Sequence, residues 1–253
     1  MQLWTYEHAT TLIPAVMGML IVAMVLRLVI GNKPLRIRMI PIQVIAVLIV
    51  LLEIGKQAVS LSRGYDLYHL PFHFCSLFIF MLPIMAFYRG KYQQRIYGIT
   101  ASLCTAVLLL MLIYPALIYG DWDVRQFFTH YLSFHTVLFH NLVLFACILV
   151  IALQVHTPAK GEQRSVIWFI IGFCVISATM AQLLKTNFNN FYSCNIPPLE
   201  NLRLSIQASL GYGVTQALYI LIVTVLDIGF VLGAYWLYRG LRCLCTGKQK
   251  AAA

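Results

Sequence analysis

Carboxylates are scarce in this chain: its 253 residues hold eight Asp and Glu against 18 Lys and Arg, and charged residues are only 10% of the total. An ordinary soluble domain carries roughly 25%, so a solvated globular surface is excluded. There is no Gly-rich phosphate loop, no internal repeat and no low-complexity tract. With an odd number of helices, that argues against a simple inverted-repeat transporter. Paired cysteine spacing is also missing. Cys104, Cys147 and Cys174 fall in apolar runs, Cys243 and Cys245 near the carboxyl end, and only Cys75 and Cys194 toward the opposite face, which implies no disulfide scaffold. The first apolar run follows Glu7 rather than a basic stretch and lacks a cleavage pattern, so it is expected to remain as a span.

What is present is apolar. Hydrophobic residues are 61% of the chain and the mean hydropathy is +0.83, which predicts an all-α membrane protein forming one integral domain over 1–250. The final Ala251-Ala252-Ala253 reads as an appended remnant. Crossing a hydrocarbon core of about 30 Å takes roughly 20 helical residues. Seven runs qualify: Thr10 to Ile30, Met39 to Leu61, Leu70 to Tyr88, Ile96 to Tyr119, Tyr131 to Gln154, Ser165 to Lys185 and Tyr212 to Tyr238. One set of alternate loops holds Lys33, Arg36, Arg38, Arg89, Lys91, Arg95, Lys160, Arg164, Arg239, Arg242, Lys248 and Lys250. The other holds Arg63, Arg125, Lys185 and Arg203 with Glu7, Asp66, Asp121, Asp123 and Glu200. Basic residues prefer cytoplasmic loops, so the amino terminus is expected outside and the carboxyl terminus inside a multi-pass protein of the cytoplasmic membrane. The net charge of +10 then reflects topology and anionic inner-leaflet lipid, with no nucleic-acid partner.

Polar side chains inside a membrane are expensive and need a reason. The stretch His69-Leu-Pro-Phe-His73-Phe-Cys75-Ser76 places two imidazoles and a thiol where the third run begins. If Pro71 opens the third helix, Cys75 sits roughly 6 Å below the outer surface, and His135 on the fifth helix reaches the same level, with His140 deeper. His73 and Cys75, two positions apart on a helix, diverge by about 200°, whereas His69 and His73 share a face. Cys75 therefore needs its base from another helix, and His135 is nearest in depth. Glu53 and Lys56, three apart, either serve the pocket or neutralise one another. The long Thr186 to Leu210 connection is expected to act as a lid over the mouth, with Asn187, Asn189 and Asn190 capping it. Asp227 is expected in the cytoplasmic third of the last helix, far from these groups.

A thiol is a strong nucleophile as thiolate, and a helix amino terminus or a nearby imidazolium favours that form. At headgroup depth the substrate is a phospholipid ester. The expected reaction is acyl transfer through a Cys75 thioester, with His135 and His73 handling protons and His69, His140, Glu53, Lys56, Asn187 and Asn190 lining the substrate site. No cofactor or metal is expected in this reading, and the partners are a membrane phospholipid donor and a lipid acceptor. One alternative makes His69, His73, Cys75 and His135 zinc ligands for lipid hydrolysis. Another is a noncatalytic lipid-binding or transport protein.

The His69 to Ser76 motif, the run Ser133-Phe-His135-Thr-Val-Leu-Phe-His140-Asn-Leu and the Asn187 to Pro198 loop together resemble the YwaF-like family of bacterial integral membrane proteins, related to the animal transmembrane protein 164. The resemblance spans most of the chain. It implies a phospholipid acyltransferase whose acyl-accepting nucleophile is Cys75, with His69, His73 and His135 matching the family's histidines.

Overall fold

The computed structural model describes residues 4–118, 120–159 and 161–250. Tyr119, where the fourth run was expected to end, the basic-loop residue Lys160 and the three residues at 251–253 that were expected to be an appended remnant lie outside the described residues. Among those described there is no strand. The helices are α1 (Tyr6–Ile30), α2 (Leu35–Arg38), α3 (Ile40–Ser62), α4 (Leu77–Phe87), α5 (Gln93–Ile113), α6 (Asp121–Arg125), α7 (Tyr131–Ala152), α8 (Glu162–Leu184), α9 (Pro197–Leu210) and α10 (Tyr212–Lys250). Six are long and apolar enough to cross a membrane: α1, α2 with α3, α5, α7, α8 and α10.

The third expected run departs from this pattern, giving only a shorter apolar helix over Phe74–Phe87. Pro71 does not open it. The residue before a proline is pushed out of the helical region, and Leu70 sits at ψ 146°. His73 follows at φ −83°, ψ 153°, so helical structure starts only with a 3-10 turn at Phe74–Ser76. The whole segment still runs antiparallel to α3. Ser60 Oγ lies 2.7 Å from His69 Nδ1 near one end, and Gln43 Nε2 donates to the Ala86 carbonyl at 3.1 Å near the other. Seventeen positions separate the two contacts on α3 and on the facing segment alike.

The centre of the bundle is α5, which packs against α4, α7, α8 and α10. Its small residues Gly98, Ala101, Ser102, Cys104 and Ala106 are buried and let neighbours approach closely, the main source of helix association in lipid. Its hydroxyls stay inside the helix: Thr100, Ser102 and Thr105 donate to the carbonyls of Ile96, Gly98 and Ala101 at 2.7–2.8 Å. By contrast α1 and α10 expose Leu20, Leu28, Leu221 and Leu226 on faces suited to lipid.

Charge is sorted by end. The carboxyl end of α7 is closed by arginines: Arg27 donates to the Ala152 carbonyl, Arg38 to those of Leu153 and Gln154, and Arg242 to that of His156. Cations belong there because the last carbonyls of a helix are unsatisfied and carry its negative pole. At the opposite end Arg125 pairs with Glu7 at 2.5 Å and Thr5 donates to Asp121.

Candidate functional site

The break in the third segment creates the site. Backbone groups that leave a helix at membrane depth must find partners in the protein, and here side chains from α3 and α8 supply them. Gln57 Nε2 donates to the His69 carbonyl at 3.0 Å, and Ser177 Oγ donates to the Phe72 carbonyl at 2.8 Å. His73 Nε2 lies 3.0 Å from the Tyr68 carbonyl, and its ring rests against Tyr68 with centroids 4.3 Å apart. His69 and His73 therefore do not share a helical face as expected; the first turns to Ser60, the second to Tyr68. Cys75 lies in the 3-10 turn that leads into α4, at the positive end of that helix. It is partly buried against the apolar core, and its sulfur lies within hydrogen-bonding reach of its own backbone amide. Tyr68 lies within electrostatic range of its sulfur.

A charged cluster stands one layer away on α3 and α7. Glu53 Oε1 accepts from Lys56 Nζ at 2.7 Å and from Gln57 Nε2 at 2.6 Å. Its other oxygen, Oε2, faces His135 Nε2 at 3.4 Å, and neither of those two atoms has a hydrogen bond among the described residues. The structure thus pairs His135 with Glu53 rather than with Cys75, the partner that depth suggested. His135 also stacks on Phe139, while His140 Nδ1 lies 2.7 Å from the Thr136 carbonyl one turn back. Lys56 is within electrostatic range of His69, His73 and His140. The four histidines, Glu53 and Lys56 therefore form one neighbourhood. Gln57 ties it to the Cys75 loop, itself held by Tyr65 at 2.7 Å.

The Asn-rich connection is more structured than a lid. Its Phe188–Asn190 turn dips into the bundle, with Phe188 and Phe191 fully buried and Phe188 in edge contact with both Phe72 and His73. Asn189 and Asn190 adopt φ 48° and 61°, the left-handed region that Asn tolerates better than most residues. Asn187, expected to cap the mouth, instead holds its own loop: Oδ1 accepts from the Tyr192 and Ser193 amides and Nδ2 donates to Asn195. The Asn190 carbonyl accepts from Tyr219, and its side-chain oxygen is buried without a hydrogen bond among the described residues. Asp227 is a further correction. Rather than standing apart, it accepts from Asn189 Nδ2 at 2.7 Å and lies 3.7 Å from Cys174 Sγ, halfway along α8. The fold-back that brings Asn189 there has no sequence signature beyond the run of asparagines.

Among the described residues no three His, Cys, Asp or Glu side chains converge as a metal ion would require, so the zinc arrangement of His69, His73, Cys75 and His135 has no preformed site. Sequence reasoning also missed a second buried acid–imidazole pair, His156 Nε2 to Glu162 Oε1 at 2.9 Å, closed by Tyr238. Gly98 makes room for it, since a Cβ there would strike the Glu162 carboxyl.

A family model described as the TMEM164 family matches residues 3–235. No curated protein and no solved structure gives a match.

Proposed function

Because the chain belongs to the TMEM164 family, we propose that it is an integral membrane acyltransferase that carries a fatty acyl group from one lipid to another as a thioester on Cys75. The observation that supports this best is the interrupted third segment. Broken helices in membranes gather at substrate sites because their freed polar groups and helix ends face a cavity instead of lipid. Here the break coincides with Cys75, His69 and His73 and lies beside the Glu53–His135 pair.

The chemistry follows from those groups. Cys75 gives up its proton to an imidazole and its sulfur attacks the donor ester carbonyl. The ester C–O bond breaks, the lysolipid oxygen takes that proton, and the acyl group stays on sulfur. An acceptor hydroxyl then loses its proton to the same imidazole as it attacks the thioester, and the thiol is restored. We assign this role to His135: Glu53 Oε2 stands 3.4 Å from its Nε2 and stabilises the imidazolium, and the ring must turn away from Glu53 to reach Cys75. The positive end of α4 favours both the thiolate and the oxyanion.

The same reading takes the broken segment as a seventh crossing, with the acidic end, Cys75 included, outside and the arginine-rich end in the cytoplasm. No acyl-CoA or acyl-carrier protein is available outside, so the donor is itself a membrane phospholipid.

The test is acyl exchange between labelled phospholipids in nanodiscs carrying the purified protein, with intact-mass analysis. Wild type should transfer the label and carry a hydroxylamine-sensitive acyl adduct, and Cys75→Ala should lose both. Exchange by Cys75→Ala at the wild-type rate would overturn the assignment.

A further inference from the structure

At the arginine-rich end, far from Cys75, a cavity of about 600 Å³ opens between α2, the start of α3, the end of α4 and the start of α5. Its volume is within the range of small-molecule pockets. The floor is apolar, built from the fully buried Met39 and Tyr97, and Leu35 and Ile40 form a wall. Two arginines, Arg36 and Arg89, stand at its edge and no carboxylate lines it.

The arginines are only partly committed. Arg89 donates to the carbonyls of Tyr88 and Ala86 at 2.9 and 2.7 Å, closing the last turn of α4. That uses two of the five N–H donors a guanidinium carries. Arg36 is exposed and makes no hydrogen bond or ion pair among the described residues. An apolar slot opening between membrane helices, with unneutralised guanidinium groups at headgroup level, has the chemistry of a phospholipid with net negative charge: the acyl chain lies against Leu35, Ile40 and Met39 while the phosphate takes the fork of an arginine.

We propose that this cavity is a binding site for one anionic phospholipid, set apart from the Cys75 site and independent of its reaction. Charge complementarity selects the ligand: zwitterionic lipid offers the same chains but no net charge to offset two cations.

The full-length protein in phosphatidylcholine nanodiscs, with and without added phosphatidylglycerol, tests this by native mass spectrometry after release. Wild type should retain one phosphatidylglycerol in preference to phosphatidylcholine. An arginine near an anionic surface contributes a factor of roughly five, so Arg36→Gln with Arg89→Gln should weaken retention by roughly twenty- to thirtyfold. Single Arg36→Gln leaves the α4 carbonyls closed and should lose about fivefold, which separates lipid binding from a folding defect. Arg164→Gln, at the same end but outside the cavity, should change nothing. Retention by the double variant equal to wild type would overturn the proposal. So would an equal loss in Arg164→Gln, or displacement of the lipid by inorganic phosphate alone, which would mark a simple anion site.

Discussion

Glu53 is the residue on which the site turns. One oxygen neutralises Lys56 and binds Gln57, the other faces His135, and all of this happens with Glu53 only 8% exposed. Breaking a buried ion pair from one side leaves an uncompensated charge and costs roughly 3–5 kcal/mol, whereas replacing both partners is close to neutral. Glu53→Gln should therefore destabilise the protein strongly in thermal unfolding, and adding Lys56→Met should recover most of the loss; a double variant no better than the single would mean that the pair is not coupled. His135→Gln keeps an amide beside Glu53 but gives up the ring stack on Phe139, and should lower acyl transfer by roughly 10²–10⁴-fold, the usual contribution of a general base, with a much smaller loss in unfolding temperature than Glu53→Gln. At this scale much was legible. The i, i+3 spacing of Glu53 and Lys56 offered their contact as one of two readings, and charged or sulfur-bearing groups in an apolar run made Cys75 and the histidines candidates. What the sequence could not supply was the azimuth of His135. Depth along a helix places it level with Cys75, but rotation about the helix turns its ring to Glu53.

At the scale of elements, the broken third segment and the folded-back Asn loop depend on each other: Phe188 lies against Phe72 and His73, and Ser177 holds the Phe72 carbonyl. Gln57→Leu should strand the His69 carbonyl and lower stability by about 1–3 kcal/mol, the cost of a buried unsatisfied polar group, while speeding alkylation of Cys75 by a small maleimide as the loop loosens. No acceleration would mean that the loop is held elsewhere. The break was hidden in the sequence because hydropathy does not distinguish an extended apolar stretch from a helical one. Only the Leu70-Pro71 step signalled it, and proline at a helix start gives the same signal. α9 was hidden for the opposite reason, since its mixed composition reads as loop. It is fixed to α10 through Glu200, Arg203 and Gln216, with Arg203 donating to Gln216 at 3.0 Å. Hydrogen bonding from Arg203 holds the Glu200 carboxyl below the usual carboxylate range. A lowered acid contributes stability that is complete above its ordinary value and disappears as pH falls through the lowered one. Protease resistance of α9 should accordingly decline at the acid side of the carboxylate range in wild type, and Arg203→Met should show the weaker attachment already at neutral pH.

The whole molecule is a charge-sorted bundle, and the proposed acyl transfer depends on which end faces which compartment. Arg27, Arg38 and Arg242 close one end of α7, while Glu7 and Asp121 engage Arg125 and Thr5 at the other. α10 has 39 residues and spans roughly 58 Å, so it extends well past a hydrocarbon core of about 30 Å and carries Arg239 and Arg242 beyond it. Phe128 is 94% exposed in the turn between α6 and α7 at the acidic end, and Cys243 is exposed at the far end. With Cys75, Cys194 and Cys245 replaced by serine, a membrane-impermeant maleimide applied to intact cells should label the Phe128→Cys protein and should reach Cys243 only after lysis. Labelling of Cys243 in intact cells without labelling of Phe128→Cys would invert the bundle. Cys75 would then face a compartment that supplies acyl-CoA, and the donor need no longer be a phospholipid even if the thioester survived. The orientation measurement thus decides the donor class before any substrate is tried.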